Sequence, residues 1–259
     1  MAPPAVSDSE GRPSQAMEAV FEAARNASTR RGVVALVGER GTGRSWLARW
    51  IHEASPRSTG PFVAVSAEGS SGDDLEARLF GVDAGEGRRR PGAVEAARGG
   101  TLLVKEVTEM GLGLQERLAE LVAHGRFTPR GAAEALHAEV RPIITSSTAL
   151  SAASAAGQLV DGLHEHLAGS CVTLPPLRDR AGDVLVIARQ ILGELHEAGE
   201  APALDLDEDA AEALRLHPWP GNVGELRGVL EEAAKVAAGQ LIRRADLDLP
   251  PGPVDWALS

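Results

Sequence analysis

Val33-Val34-Ala35-Leu36-Val37-Gly38-Glu39-Arg40-Gly41-Thr42-Gly43-Arg44-Ser45 is the stretch that decides the fold. Its five leading apolar residues read as a strand buried on both faces of a parallel sheet, where no polar alternation is needed. The glycines that follow, Gly38-x-x-x-x-Gly43-Arg44-Ser45, have P-loop spacing, in which loop and helix N–H groups cradle phosphates. Trp46 to Glu53 reads as the helix behind that loop. The lysine of such loops is Arg44 here, which keeps the charge but is longer and forked, so it does not reach the usual point between two phosphates. Taken alone, the loop is most simply a glycine-rich turn without a ligand. Its place between a buried strand and a helix points instead to a nucleotide pocket.

Upstream, Met17, Val20, Phe21 and Ala24 fall at i, i+3, i+4 and i+7, the apolar face of a helix that Gly32 closes. Downstream, strands are expected at Phe62 to Val65, Thr101 to Val104 and Val140 to Thr145. Leu114, Leu118, Leu121 and Val122 mark an amphipathic helix ending at Gly125. Strands alternating with helices predict an α/β domain with a mainly parallel sheet. After Pro175-Pro176 the strand signals stop, and helices are expected at Asp183 to Leu195, Asp207 to Leu216 and Asn222 to Ala238. Asn222-x-x-Glu225 opens the last in capping-box spacing. The expected organisation is a flexible arm (1–13), an α/β domain (14–175), a small helical domain (176–250) and a tail (251–259).

Composition narrows the function classes. With 43% hydrophobic residues in 259, the chain can build a real core. No apolar run approaches the roughly 18 residues that span a bilayer, and the N-terminus has no signal-peptide pattern, so a cytoplasmic protein is expected. The single cysteine, Cys171, forms no internal disulfide. A net charge of −11 argues against a generic nucleic-acid binder, and aromatics at 3%, without tyrosine, argue against a base-stacking platform. Lys105 and Lys235 are the only lysines. His164, His166 and Cys171 lack the paired spacing of a zinc site, so no metal site is expected. Trp46 and Trp50, at i and i+4, read as packing residues.

The ordered motifs carry a resemblance. Gly38 to Gly43, Ile51-His52, Ser55-Pro56-Arg57-Ser58, Gly60-Pro61-Phe62-Val63-Ala64-Val65, Leu79-Phe80-Gly81 and Gly99-Gly100-Thr101-Leu102 resemble the AAA+ domain of bacterial sigma-54-dependent transcriptional activators. Leu174-Pro175-Pro176-Leu177-Arg178-Asp179-Arg180 and Trp219-Pro220-Gly221-Asn222-Val223 look like that family's lid motifs. The resemblance implies a three-layer P-loop AAA+ domain followed by an all-helical lid. It also implies ATP or ADP held by Gly38, Glu39, Arg40, Gly41, Thr42, Gly43, Arg44 and Ser45, with Lys105 and Thr148 beside the phosphates. The family couples ATP hydrolysis in a hexameric ring to remodelling of the sigma-54 polymerase holoenzyme.

Against that pattern the chemistry has been replaced. Where the family has its Walker A lysine this chain has Arg44, and where it has the magnesium-organising aspartate it has Lys105, so Mg²⁺ is not expected at its usual place. Glu106 matches the residue that polarises the attacking water and is the one catalytic group retained. Thr148 stands at the polar sensor. The two finger arginines align with Val160 and His166, and the lid arginine with Gly224. A finger supplies roughly 10³–10⁵ in rate, so these losses predict negligible turnover. Val82 to Gly92, with Arg88, Arg89 and Arg90, replaces the sigma-contacting loop, so sigma-54 contact is not expected; three arginines there read first as solvated charges.

The expected function is therefore a non-hydrolysing regulatory module that binds proteins, other AAA+ activator subunits among them, as a homo- or hetero-oligomer. A slowly hydrolysing ATP-binding transcription regulator and a nucleotide sensor without turnover, using Arg178 or Arg180, stay open. Read as a whole protein, the sequence carries no DNA-binding domain of its own.

Overall fold

The computed structural model describes residues 14–85, 88–237 and 239–249. The arm (1–13) and tail (251–259) lie outside the described residues. Five parallel strands form the central sheet: β1 (Val34–Val37), β2 (Phe62–Ser66), β3 (Thr101–Lys105), β4 (Arg141–Ser146) and β5 (Cys171–Thr173), in spatial order β2-β3-β4-β1-β5. Every residue of β1 and β4 is buried, while the edge strands β2 and β5 are partly exposed, as expected of a parallel sheet covered on both faces at its centre. The strand at Cys171–Thr173 was not expected. Three residues on a sheet edge leave too short a pattern to recognise.

The helices are α1 (Gln15–Thr29), α2 (Arg44–Glu53), α3 (Gly72–Phe80), α4 (Ala93–Ala96), α5 (Leu112–His124), α6 (Leu150–Ala155), α7 (Asp161–Ala168), α8 (Val184–Glu197), α9 (Glu208–Leu216) and α10 (Asn222–Val236). Local chemistry sets their ends. Ser71 Oγ caps α3 by accepting from Asp74 N, with Asp73 and Asp74 in the first turn, where the helix dipole favours acids. Gly125 ends α5 at φ 62°, the left-handed stop its sequence position suggested. Arg44 and Ser45, read as loop residues, are already the first residues of α2.

The chain divides into two compact units. Of the described residues, the first takes in Val20–Glu39 and Arg44–Leu174; the second takes in residues 14–19, Arg40–Gly43 and the chain from Pro175 onward. The first has a core of Val37, Leu102, Val104 and Ile144 from the sheet with Leu75, Leu79, Phe80 and Leu118 from helices, all buried. Phe21 meets Trp46 and Trp50 edge-on at 6.2 and 5.9 Å, so the tryptophans are packing residues.

The second unit is helical, built on Leu177, Ile191, Leu214, Trp219, Leu226 and Leu230. It is not free of strand structure, as the sequence suggested: β6 (Asp205–Leu206) and β7 (Leu241–Ile242) pair in parallel. Two residues each are below what periodicity can register. Asn222 is also not a capping residue. The N-cap of α10 is Gly221, whose N–H donates to Glu225 Oε2 at 2.7 Å, while Asn222 is wholly buried at φ 55° with its amide committed elsewhere.

Candidate functional site

β1 delivers Gly38 to the carboxyl edge of the sheet, where its N–H donates to the Ser146 carbonyl at the end of β4 (3.2 Å). In the first unit, the end of β3 and the start of α2 bring two charges together. Arg44 Nη2 lies 2.6 Å from Glu106 Oε1, and both side chains are 8% exposed. The second carboxylate oxygen, Oε2, accepts from Ser147 N at 3.1 Å, and Glu106 N donates to Thr145 Oγ1 at 3.2 Å. Glu106 adopts the left-handed conformation (φ 57°, ψ 59°), which for a residue with a Cβ costs about 1–2 kcal/mol. Strain of that kind persists where surrounding contacts enforce it and concentrates at functional positions.

Arg44 Nη1 is buried without a hydrogen-bond partner. Lys105, the last residue of β3, is partly exposed, and its carbonyl accepts from Ala67 N at 3.0 Å. Thr148 engages Ser146 rather than Glu106: Thr148 N donates to Ser146 Oγ (3.1 Å), and Ser146 Oγ donates to the Thr148 carbonyl (2.5 Å). Ser45 is exposed. The structure brings Arg44 against Glu106, with Thr145 and Ser147, which sequence reasoning passed over. The run of hydroxyl residues Thr145-Ser146-Ser147-Thr148 at a strand end was the signal for them.

Arg40–Gly43 belong to the second unit, and three backbone carbonyls there are held from its helices. Asn222 Nδ2 donates to Arg40 O (2.9 Å), Val223 N to Gly41 O (3.0 Å) and Arg180 Nη2 to Thr42 O (2.8 Å). Asn222 Oδ1 also accepts from Leu177 N at 2.7 Å. Gly41 is required by geometry. Its φ is 78°, and a Cβ there would lie 2.1 Å from the Gly221 carbonyl oxygen. Arg180 is buried, reaches Met17 S at 3.2 Å, and has its pKa lowered chiefly by that burial, against the opposing pull of Asp183. Arg180 therefore holds the loop backbone within this unit.

The positions aligned with arginine fingers are occupied otherwise. Val160 N donates to Gln115 Oε1 (3.0 Å) at the start of α7, and His166 is exposed on that helix. Arg89 is ion-paired with Glu95, so one of the three loop arginines is not simply solvated. Among the described residues, no cluster of three His, Cys, Asp or Glu side chains is placed to hold a metal ion, and no helix is long and apolar enough to cross a membrane.

A five-stranded parallel sheet with a glycine loop after β1, followed by a small helical lid, defines a P-loop ATPase fold of the AAA+ class. Comparison narrows this further: residues 11–173 match the Sigma-54 interaction domain family and residues 178–250 the AAA+ ATPase lid domain, so the chain belongs to the sigma-54 interaction domain family. The response regulator protein FleR of Pseudomonas aeruginosa is 36% identical over 239 residues, 91% of this chain and 50% of FleR. The DNA-binding transcriptional regulator NtrC of Rhizobium meliloti is 31% identical over 235 residues, 86% of this chain and 48% of NtrC. The crystal structure of NtrX from Brucella abortus in complex with ADP matches with a TM-score of 0.84 and 26% identity, over 94% of this chain and 57% of that one; its complex with ATP matches equally well. The chain spans about half the length of the curated relatives it matches.

Proposed function

We propose that this chain is an AAA+ module of transcriptional control that does not hydrolyse ATP and works in the bacterial cytoplasm by binding other proteins, AAA+ activator subunits among them. The observation that carries this reading is the contact between Arg44 and Glu106. A carboxylate that polarises water must offer a basic oxygen, and here both oxygens already hold donors while the guanidinium offsets the charge. Val160, His166 and Gly224 remove the neighbouring cations that would stabilise a transferring phosphoryl group. A subunit without fingers tunes or poisons a mixed ring, because each finger serves the neighbouring subunit's site.

The residues do not fit a bound Mg²⁺. Lys105 places a cation where a metal ligand is needed, and Glu106 is taken by Arg44. They do fit a phosphate. Arg44 Nη1 is a buried donor awaiting an acceptor, and Gly43 (φ 102°) has open space at its Cβ position, so a ligand can approach the backbone. These observations favour a second reading within the first, in which Gly38 to Ser45 hold ATP or ADP without turnover and the module reports nucleotide state. The ADP and ATP complexes of NtrX support it by similarity.

The deciding experiment is thermal unfolding with ATP or ADP, each with and without Mg²⁺, beside a phosphate-release assay. A stabilising shift without phosphate release is expected. Steady release that Glu106→Gln abolishes would overturn the non-hydrolysing reading in favour of a slow ATPase. A strictly monomeric chain that recovers no AAA+ partner would overturn the protein-binding one.

A further inference from the structure

A second basic site lies at the opposite end of β1 from the P-loop. The end of α1, the turn after α2 and the entry to β4 enclose a cleft of about 470 Å³, lined by Arg30, Arg31, Arg57 and Arg141. None of its lining residues is acidic, in a chain whose net charge is −11. Among the described residues, no carboxylate pairs with any of these four arginines. The nearby Glu139 side chain is paired with Arg98 at 3.4 Å, and only its carbonyl meets Arg57 (Nη1 to O, 3.3 Å).

Arg141 forms the floor. It is 4% exposed, and its guanidinium donates to the Ser28 carbonyl (3.2 Å), the Gly32 carbonyl (3.4 Å) and the Ala27 carbonyl. Ala27 and Ser28 belong to the last turn of α1, so this buried cation is offset by the partial negative charge of a helix C-terminus rather than by an acid. Burial first, and then the charge of Arg57, lower its pKa, as expected of a cation short of an anion. Arg30 and Arg31 are exposed at the rim and Arg57 is half-buried.

We propose that this cleft binds a small molecule carrying a chain of two or more phosphates, at a site separate from the P-loop. Guanidinium forks match phosphate oxygens in pairs, and several guanidiniums around one cleft suit a ligand with several adjoining charges better than a single carboxylate. The volume falls in the range of about 300–1,000 Å³ typical of small-ligand sites, which leaves room for an organic group beyond the phosphates. Gly32 precedes β1 and Gly38 follows it, and four strand residues at about 3.3 Å each put roughly 13 Å of strand between the two sites. Occupancy would tie together α1, β1 and β4, and so stabilise the first unit.

The test is thermal unfolding of the full chain at fixed pH and ionic strength with tripolyphosphate or pyrophosphate, against orthophosphate and citrate. Tripolyphosphate is expected to raise the Tm more than citrate does. Arg30→Gln combined with Arg31→Gln, both exposed and outside the core, is expected to weaken the apparent affinity at least tenfold while leaving the unliganded Tm in place. Arg44→Gln in the P-loop is expected to leave that affinity intact. No shift in the unsubstituted chain, equal shifts with citrate, an unchanged affinity in the double variant, or a loss caused by Arg44→Gln would each overturn the proposal. Because Arg30→Gln with Arg31→Gln leaves the P-loop residues untouched, failure here is distinguishable from failure of the nucleotide reading.

Discussion

Arg44 Nη2 and Glu106 Oε1 face each other at 2.6 Å with both side chains 8% exposed, an ion pair between the first residue of α2 and the residue that follows β3. Such a pair is strongly coupled, because removing one partner leaves the other charge desolvated. Arg44→Ala is expected to cost about 3 kcal/mol by this mechanism. Once Glu106→Ala is added, the second substitution should cost far less than it does alone. Urea unfolding of the two single variants and the double variant supplies the cycle. Strictly additive effects would mean that the pair contributes nothing by its contact.

Lys105 is the second departure at this site, and its reversal has a definite consequence. Lys105→Asp replaces a cation with an oxygen ligand beside Glu106, which suits Mg²⁺. In the unsubstituted chain, Mg²⁺ should add nothing to stabilisation by ATP. In the variant it should add about 2–4 °C, the shift that ~1 kcal/mol produces in a chain of this size. An equal response of both chains to Mg²⁺ would show that Lys105 does not control metal binding.

The fold was legible where burial is two-sided or periodic. Val34–Val37 is buried at every position, and an unbroken apolar run reported it; Met17, Val20, Phe21 and Ala24 line one face of α1 and are all buried. What escaped was too short or depended on partners distant in sequence. Cys171–Thr173 is a three-residue edge strand, and β6 and β7 have two residues each. Asn222 followed by Glu225 imitates a capping box, yet the Asn222 amide spans Leu177 N and Arg40 O, which no local spacing encodes. At the candidate site, motif positions identified Arg44 and Glu106. Their contact, and the hold of Thr145 and Ser147 on Glu106, required the sheet to bring the ends of β3 and β4 together.

His52 gives the first unit a pH dependence. It is buried in α2, with Nδ1 2.9 Å from Thr101 Oγ1 and its ring 5.3 Å from that of Phe62. Burial depresses its pKa below 6.5, with Arg49 and Arg141 adding to the effect and Glu53 opposing it. The unfolded chain therefore takes up the proton first, so stability present above pH 6.5 falls as the pH drops through that value toward the lower folded pKa. His52→Gln is expected to flatten this acid limb between pH 7 and pH 5 in urea midpoints measured across the range. An unchanged slope would assign the limb to other groups.

Gly41 and Gly43 both adopt positive φ, at 78° and 102°, but their surroundings differ. A Cβ on Gly41 would fall 2.1 Å from the Gly221 carbonyl oxygen, and the Gly41 carbonyl must also stay in place to accept from Val223 N. A Cβ on Gly43 meets nothing within 4 Å. Gly43→Ala should therefore cost only the backbone strain of a left-handed alanine, about 1–2 kcal/mol. Gly41→Ala adds a steric conflict with backbone, which cannot turn aside as a flexible side chain can, and should cost clearly more. Thermal unfolding of the two variants side by side separates the terms: equal losses would mean that Gly41 is needed for its φ alone, and a larger loss at Gly41 would show that the close approach of Gly221 is what requires glycine there.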